Sequence, residues 1–267
     1  MSRAERAAFT PAALARELAL LLPDWPDVQL CVAFSGGADS VALLAALAQL
    51  RRRHPRLALR AVHIDHHLHP GSGQWRRDCA RLARSLRVAF SVRHARIVPR
   101  RGASLEALAR TERYRLLGAQ LAPGQTLLTA HHEDDQFETV LLQLLRGAGV
   151  AGLAAMPRRA PLGRGQLVRP LLGFTRAQLR AFVAASGLPF TEDPSNADLR
   201  FDRNFLRARL VPGIRERWPG ASAVLARSAR HFAEARELLA GLAARDLQPL
   251  ARDARLRIAG LRQLSAA

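Results

Sequence analysis

An apolar run at 28–34 leads straight into Ser-Gly-Gly-Ala-Asp-Ser at 35–40, and an Ala/Leu-rich run follows without a break to residue 50. No other feature constrains the fold as strongly. The order reads as a buried strand, a glycine turn and a helix in immediate succession. Gly36 and Gly37 allow a tight turn and a close backbone approach to a ligand. The helix behind them opens with unsatisfied N–H groups and the positive end of its dipole, which suits phosphate. Ser35 and Ser40 add hydroxyls, with Ala38 inside the same turn. Asp39 makes sense beside phosphates if it holds a cation such as Mg²⁺.

The alternation continues along the chain. Strands are expected at 57–64, 88–92 and 126–130. Helices are expected at 39–53, 74–86, 104–121 (with Ser104 as N-cap) and 133–145. Strands separated by helical crossovers predict an α/β fold, a doubly wound parallel sheet covered on both faces, with ligands at the carboxyl ends of the strands. The polar clusters SGGADS, HIDHHLHP and HHEDDQ all fall at such ends. Residues 147–170, rich in Gly, Pro and Arg, read as an irregular surface arm. A short helix at 175–186, a polar loop ending at Asn204 and a helix from Phe205 follow. A long Ala/Leu/Arg helix is expected from Pro219, broken near Pro249.

Composition narrows the chemistry. The chain has no Lys, so all 41 basic residues are Arg, and against 22 acids they give a net charge of +19. Without Lys there is no Walker A loop, no kinase strand lysine and no Schiff base. A surplus of this size favours a polyanionic partner, nucleic acid first. Codon bias explains Arg in place of Lys but not the excess over acids. Cys31 and Cys79 form neither a disulfide framework nor a CxxC pair. No uncharged apolar run approaches the ~18 residues of a membrane helix. The N-terminal stretch, interrupted by Arg16 and Glu17, reads as an amphipathic helix and not as a signal peptide. A soluble cytoplasmic protein is the expectation.

Four constellations carry candidate chemistry. His132, Asp135 and Glu138 share one face of the helix opened by HHEDDQ, where they could bind Mg²⁺, move protons, grip a cationic substrate or simply suit a helix N-terminus. An HExxH zinc site fails, because position 136 is Gln. The histidine-rich segment His63 to His69 suggests a metal, or a loop flanking a nucleotide in which the backbone near Val62 and Ile64 reads adenine. Glu106, Arg110 and Arg113 fit either a phosphate clamp or a surface ion-pair ladder. The segment from Glu192 to Asn204, with Arg203, is either an Asx-turn loop or a substrate-binding loop.

Taken in order, SGGADS, HIDHHLHP, the Glu-Ala-x-Ala-Arg-x-x-Arg-Tyr pattern, HHEDDQFET, LLRGAGVAGLAAM, RPLL and EDPSNADLRFDRN resemble the motifs of the tRNA(Ile)-lysidine synthetase family, within the PP-loop (N-type ATP pyrophosphatase) superfamily. The resemblance covers about residues 28–217. It implies a PP-loop catalytic domain over 1–217 and, over 218–267, a helical linker or the start of a second domain that is cut short. It implies a ligase that adenylates cytidine 34 of a CAU-anticodon isoleucine tRNA with ATP, then joins L-lysine to it, releasing AMP and pyrophosphate. Ser35, Gly36, Gly37, Ala38, Asp39 and Ser40 would hold the phosphates, with Mg²⁺ at Asp39. Val62 and Ile64 would lie beside the adenine, and Arg113 would contact phosphate. His132, Asp135 and Glu138 would position cytosine and lysine, Asp135 handling the amine proton, and Arg203 would grip tRNA or substrate. A homodimer is compatible with the family. Four positions depart from the family pattern: His67-Leu68-His69 stands in place of Gly-Leu-Arg, Ala148 in place of Ser and Phe201 in place of Tyr.

Other PP-loop enzymes are the rivals. A tRNA thiolase needs catalytic cysteines or an iron–sulfur site. A small-molecule ligase does not need +19 of charge, and a noncatalytic RNA-binding module does not need polar clusters at three strand ends.

Overall fold

The computed structural model describes residues 8–67, 70–98, 105–252, 255, 256 and 258. The chain opens with α1 (Pro11–Leu21), started by Pro11 and capped by Thr10, whose Oγ1 accepts from the Ala13 N–H at 3.1 Å. Then come β1 (Gln29–Ala33), α2 (Ala38–Arg53), β2 (Ala58–Asp65), α3 (Ser72–Ser85), β3 (Ala89–His94), α4 (Leu105–Ala119), β4 (Thr126–Leu128) and α5 (Glu133–Leu145). This first half agrees with the expected order to within a few residues at each end. Ser104, the expected N-cap, lies outside the described residues.

Among the described residues six strands form one sheet in the order β3-β2-β1-β4-β6-β5. From β3 to β6 neighbouring strands run parallel, and only the edge strand β5 is antiparallel. Strand residues alternate between two cores, as the period of two demands. Leu30, Val32, Ala61, Leu128 and Val168 point to a core shared with α1, α2, α3 and α7 (Arg176–Ala185). Cys31, Val62, Leu127 and Leu167 point to the opposite face, against Leu117 and Leu121 at the end of α4. Helix α2 is apolar nearly all round because it lies between the sheet and other helices. The order of the strands reverses beside β1: β2 and β3 were laid on one side of it, and β4 on the other. At such a switch point the loops after β1 and β4 diverge and leave a crevice.

The expected surface arm at 147–170 is a correction. It contains α6 (Val150–Leu153) and a hairpin of β5 (Arg159–Leu162) and β6 (Gly165–Val168) that extends the main sheet. The two-residue turn carries Gly163 at φ +56°, the glycine-first pattern of a type II′ hairpin. A Cβ there would collide with the Gly118 carbonyl, so the turn seats directly on α4. Pro161 is tolerated because β5 is an edge strand. A second correction concerns the polar loop. Helix α8 (Asp202–Phe205) already contains Arg203 and Asn204, and it runs through a π-helical turn (Leu206–Leu210) into α9 (Val211–Arg217). The long helix is present as α10 (Ala221–Leu247), ending two residues before Pro249 and packed on α5 and α6. Beyond it lies a short antiparallel pair, β7 (Ala251–Arg252) and β8 (Arg255–Leu256).

Candidate active site

The turn after β1 is a backbone cradle. Phe34 continues the sheet by donating its N–H to the Val62 carbonyl at 2.8 Å. Gly36 then takes φ +85°, and an added Cβ would come within 2.7 Å of Cys79 Sγ, so both conformation and space require glycine. Ser40 is buried. Its hydroxyl donates to the Gly37 carbonyl at 2.9 Å and accepts from the Gly36 N–H at 3.1 Å, which braces the turn from inside. Ser35 Oγ lies 3.1 Å from Ser40 Oγ. Gly37 is the N-cap of α2 and supplies no side-chain cap. The first N–H groups of a 16-residue helix therefore face outward at the crevice, ready for an anion.

Asp39 stands at the edge of this cradle. Its Oδ1 is buried and has no hydrogen-bond partner, while Oδ2 is 3.4 Å from His132 Nε2. A buried carboxylate oxygen without a partner fits a cation shared with a phosphate.

Across the crevice, α5 begins with a capping box. The His132 N–H donates to Asp135 Oδ2 at 3.0 Å, and the Asp135 N–H points at His132 Nδ1 at 3.3 Å. That contact assigns the proton of the neutral ring to Nε2, which faces Asp39 and, at 3.5 Å, Asp135 Oδ2. Burial would lower the pKa of His132, but its hydrogen bond with Asp39 and the charges of Asp135, Asp39 and Asp134 outweigh burial and raise it. Asp134 faces elsewhere: it accepts from the Arg176 N–H at 2.8 Å and pairs with Arg215, fastening α7 and α9 to α5. Glu138 is buried one turn on, and both of its oxygens are held by Arg207, at 2.7 and 2.9 Å. Arg207 Nη2 is also 3.8 Å from Asp135 Oδ1. Burial opposes its charge, yet the Glu138 pair raises the Arg207 pKa above its ordinary value. Arg203 donates to Thr139 Oγ1 at 3.0 Å, on the same side of α5.

Residues given no individual role from the sequence complete the site. His131 lies 2.8 Å from Thr129 Oγ1. Burial, then the charges of Arg169, Arg113, Arg110 and Arg203, push its pKa well down, so it is neutral at pH 7. Of these arginines, Arg113 shares a cavity wall with His131. His63 is buried on β2 and its Nδ1 lies 2.9 Å from the Phe34 carbonyl, tying β2 to the start of the cradle. Arg207 is the other addition.

Two cavities adjoin here, and a third lies further along α4 and α5. One of about 460 Å³ is lined by Ser35, Val62, Ile64, His66, Arg113 and Phe201. Burial and the charges of Arg113 and His63 bring the pKa of His66 down to about 4. A narrower slot of about 170 Å³ lies between Asp39, Ser40, Arg113 and His131. A basic cleft of about 370 Å³ is lined by Arg110, Thr139, Gln143, Arg146 and Arg203. Ser35, Gly37, Asp39, Ser40, Val62, Ile64 and Arg113 line the first two cavities, Arg203 lines the third, and His132, Asp135 and Glu138 lie behind Asp39 on α5. The segment at 191–204 folds on itself beside a cavity. Asp193 and Asn204 close it on itself, and Asp193, Ser195 and Asp198 wall the largest of the three cavities. The Thr191 N–H donates to the Gly36 carbonyl at 2.9 Å and holds the loop over the cradle. The side chain of Glu106, with Leu68 and His69, lies outside the described residues.

The cysteines fit no sulfur chemistry. Cys31 and Cys79 are buried in cores on opposite faces of the sheet, and burial raises their pKa values to about 11 and about 12.

A tRNA(Ile)-lysidine synthase of Coxiella burnetii is 44% identical over 96% of this chain and 56% of its own length. One from Pseudomonas aeruginosa is 50% identical over 82% of this chain and 49% of its own, and one from Methylococcus capsulatus is 51% identical over 79% and 48%. The chain spans about half the length of these curated relatives. Among solved structures, the U34-tRNA thiolase NcsA from Methanococcus maripaludis aligns with a TM-score of 0.66 at 12% identity, covering 84% of this chain and 78% of that one, a likeness of fold. A family model described as a PP-loop domain matches residues 11–214. That match runs from the first residue of α1 into α9 and takes in the whole main sheet, so the chain belongs to the PP-loop family.

Proposed function

We propose that this chain carries the catalytic PP-loop domain of a cytoplasmic tRNA(Ile)-lysidine synthetase, with the domain over 1–217 and a second unit beginning at 218. The observation that carries the proposal is the position of His132. One ring nitrogen lies within 3.5 Å of both Asp39, on the phosphate cradle, and Asp135, on the opposite wall. Phosphate chemistry and a second substrate's chemistry are thereby joined at a single crevice, beside a basic cleft.

ATP would lie with its adenine beside Val62 and Ile64 and its phosphates on the backbone of residues 35–40. Mg²⁺, held by Asp39, neutralises phosphate charge when bound. Arg113, which lines both the 460 Å³ cavity and the slot, stabilises the charge that develops as the adenylyl group is transferred. The C2 oxygen of cytidine 34 attacks the α-phosphorus, and the bond to pyrophosphate breaks. The ε-amine of L-lysine then attacks C2, the C2–O bond breaks, and AMP leaves. The amine must lose a proton, and Asp135 is the carboxylate placed to accept it. His132 orients Asp135 and Asp39 together, and Arg207 holds both oxygens of Glu138 in place beside them, although burial raises the Glu138 pKa above its ordinary value. Arg110, Arg146 and Arg203 supply the polyanion-binding wall of the cleft.

The test is ATP- and Mg²⁺-dependent transfer of radiolabelled L-lysine to CAU-anticodon isoleucine tRNA, with ATP binding followed in parallel. Transfer that disappears in Asp39→Ala supports the reading. Pyrophosphate release that needs no tRNA would replace it with a small-molecule ligase. Failure to bind ATP would sink it outright.

A further inference from the structure

A second cluster of ligating groups lies outside this reaction scheme, at the carboxyl ends of β2 and β3. The parallel register sets Asp65 directly beside His94. His67 follows two residues after the end of β2 and turns back. Its backbone takes φ +51°, a left-handed conformation uncommon for a residue with a side chain, and its N–H donates to Asp65 Oδ1 at 3.0 Å. The turn brings His67 Nδ1 to 3.6 Å from Asp65 Oδ1, while His94 Nδ1 lies 4.0 Å from Asp65 Oδ2. The two imidazoles stack at 4.9 Å, and His67 Nε2 is 2.7 Å from His94 Nδ1. Among the described residues this is the one group of three His, Cys, Asp or Glu side chains whose ligand atoms converge within 4.8 Å of one another.

We propose that Asp65, His67 and His94 form a binding site for a borderline divalent transition cation of the Zn²⁺ type. Two imidazoles and one carboxylate match that class, whereas Mg²⁺ prefers an all-oxygen octahedron. Ligands of a tetrahedral cation at about 2.0–2.1 Å lie about 3.3 Å apart. The observed 3.6 and 4.0 Å separations therefore need to close by about 0.3 and about 0.7 Å, and the 2.7 Å contact between the two imidazoles needs to open by about 0.6 Å, shifts that exposed histidine side chains can make. Burial of Asp65 fixes the carboxylate, and exposure of both histidines leaves the outer positions open to water. Arg76, whose Nη1 is 3.5 Å from Asp65 Oδ2, is the internal cation that the metal would displace. The site borders the 460 Å³ cavity, which Asp65 and His67 also line, so the bound cation stands at the rim of that pocket.

The experiment is Co²⁺ titration of the full chain without ATP, read by ligand-field absorption. Stoichiometric binding with intense visible bands that Zn²⁺ bleaches is expected. His94→Ala and His67→Ala each remove a ligand and should weaken Co²⁺ binding by about 100-fold or more, at least the loss that an outer-shell change causes. His231→Ala, on the exposed side of α10, should leave binding unchanged. Both cluster histidines are exposed, and circular dichroism confirms that the variants fold. Absence of the bands in the wild type, or their retention in the His67→Ala/His94→Ala double variant, overturns the proposal. X-ray absorption of the zinc-loaded wild type gives a readout free of any variant. A shell with two imidazoles supports the site, and a shell of oxygens alone or one containing sulfur refutes it.

Discussion

Gly36→Ala isolates the physical demands of the phosphate cradle. Two terms add. The first is conformational: at φ +85° an L side chain costs about 1–2 kcal/mol. The second is steric: the new Cβ would lie 2.7 Å from Cys79 Sγ, and overpacking of a buried site typically costs about 1–3 kcal/mol. The sum is about 2–5 kcal/mol. For a chain of this size that corresponds to a fall in Tm of roughly 4–20 °C. Cys79→Ala removes the atom that is hit without altering the φ requirement. The second substitution should therefore recover the steric term alone. A double-mutant cycle by urea denaturation should show a coupling of about 1–3 kcal/mol in favour of the pair, and about 1–2 kcal/mol of uncorrected loss. The double variant should also regain part of its ATP binding as the turn relaxes. A cycle with no coupling, or a Gly36→Ala protein as stable as the wild type, would refute the account of why glycine stands there.

Arg207→Met leaves Glu138 buried without its partner and should cost about 3–5 kcal/mol, most of it recovered when Glu138→Leu is added, as chemical denaturation would show. Asp39→Asn loses only the charged contact of Oδ2 with His132, its Oδ1 having no hydrogen-bond partner, so it should lower Tm modestly, yet it should abolish Mg²⁺-dependent ATP binding in calorimetry. Asp134→Asn should do the reverse and lower Tm, since Asp134 ties α5 to α7 and α9. His132 has a folded pKa above its unfolded value, so its charged pairing stabilises fully below about pH 6.5 and is lost as pH rises through the raised value. The stability gap between wild type and His132→Asn should accordingly narrow with rising pH, and a gap that widens would contradict the assignment. Cys31 and Cys79 should resist thiol reagents in the native state at pH 8 and react at the rate of unfolding.

The elements nearest the crevice were legible because their constraints are local. A strand buried on both faces must be apolar throughout, which marks 28–34. The left-handed turn admits only glycine, which marks Gly36. A helix that begins at a ligand site carries its polar residues in the first turn, which marks His132 and Asp135. The hairpin at 159–168 carries no such mark. Its strands are four residues long, β5 contains a proline, and only Leu167 and Val168 are fully buried, with Leu162 packing at the edge of one core. Arg207 is equally silent. One arginine among 41 has no distinguishing neighbour, and its partner Glu138 lies 69 residues away across a π-helical turn. His63 and His131 belong to histidine-rich clusters in which sequence gives no order of importance. Only burial, the Phe34 carbonyl and the surrounding guanidinium groups single them out.

The hydrogen bond from Thr191 to the Gly36 carbonyl joins points far apart in synthesis as well as in sequence. At about 5–20 residues per second, the ribosome needs roughly 8–30 s to travel from one to the other. During that interval the glycine turn has already been made, while the segment that will clamp it does not yet exist. Nucleotide affinity therefore matures late on the nascent chain. A ribosome-bound chain stalled before Thr191 would hold the complete SGGADS motif without the clamp that sets its working shape.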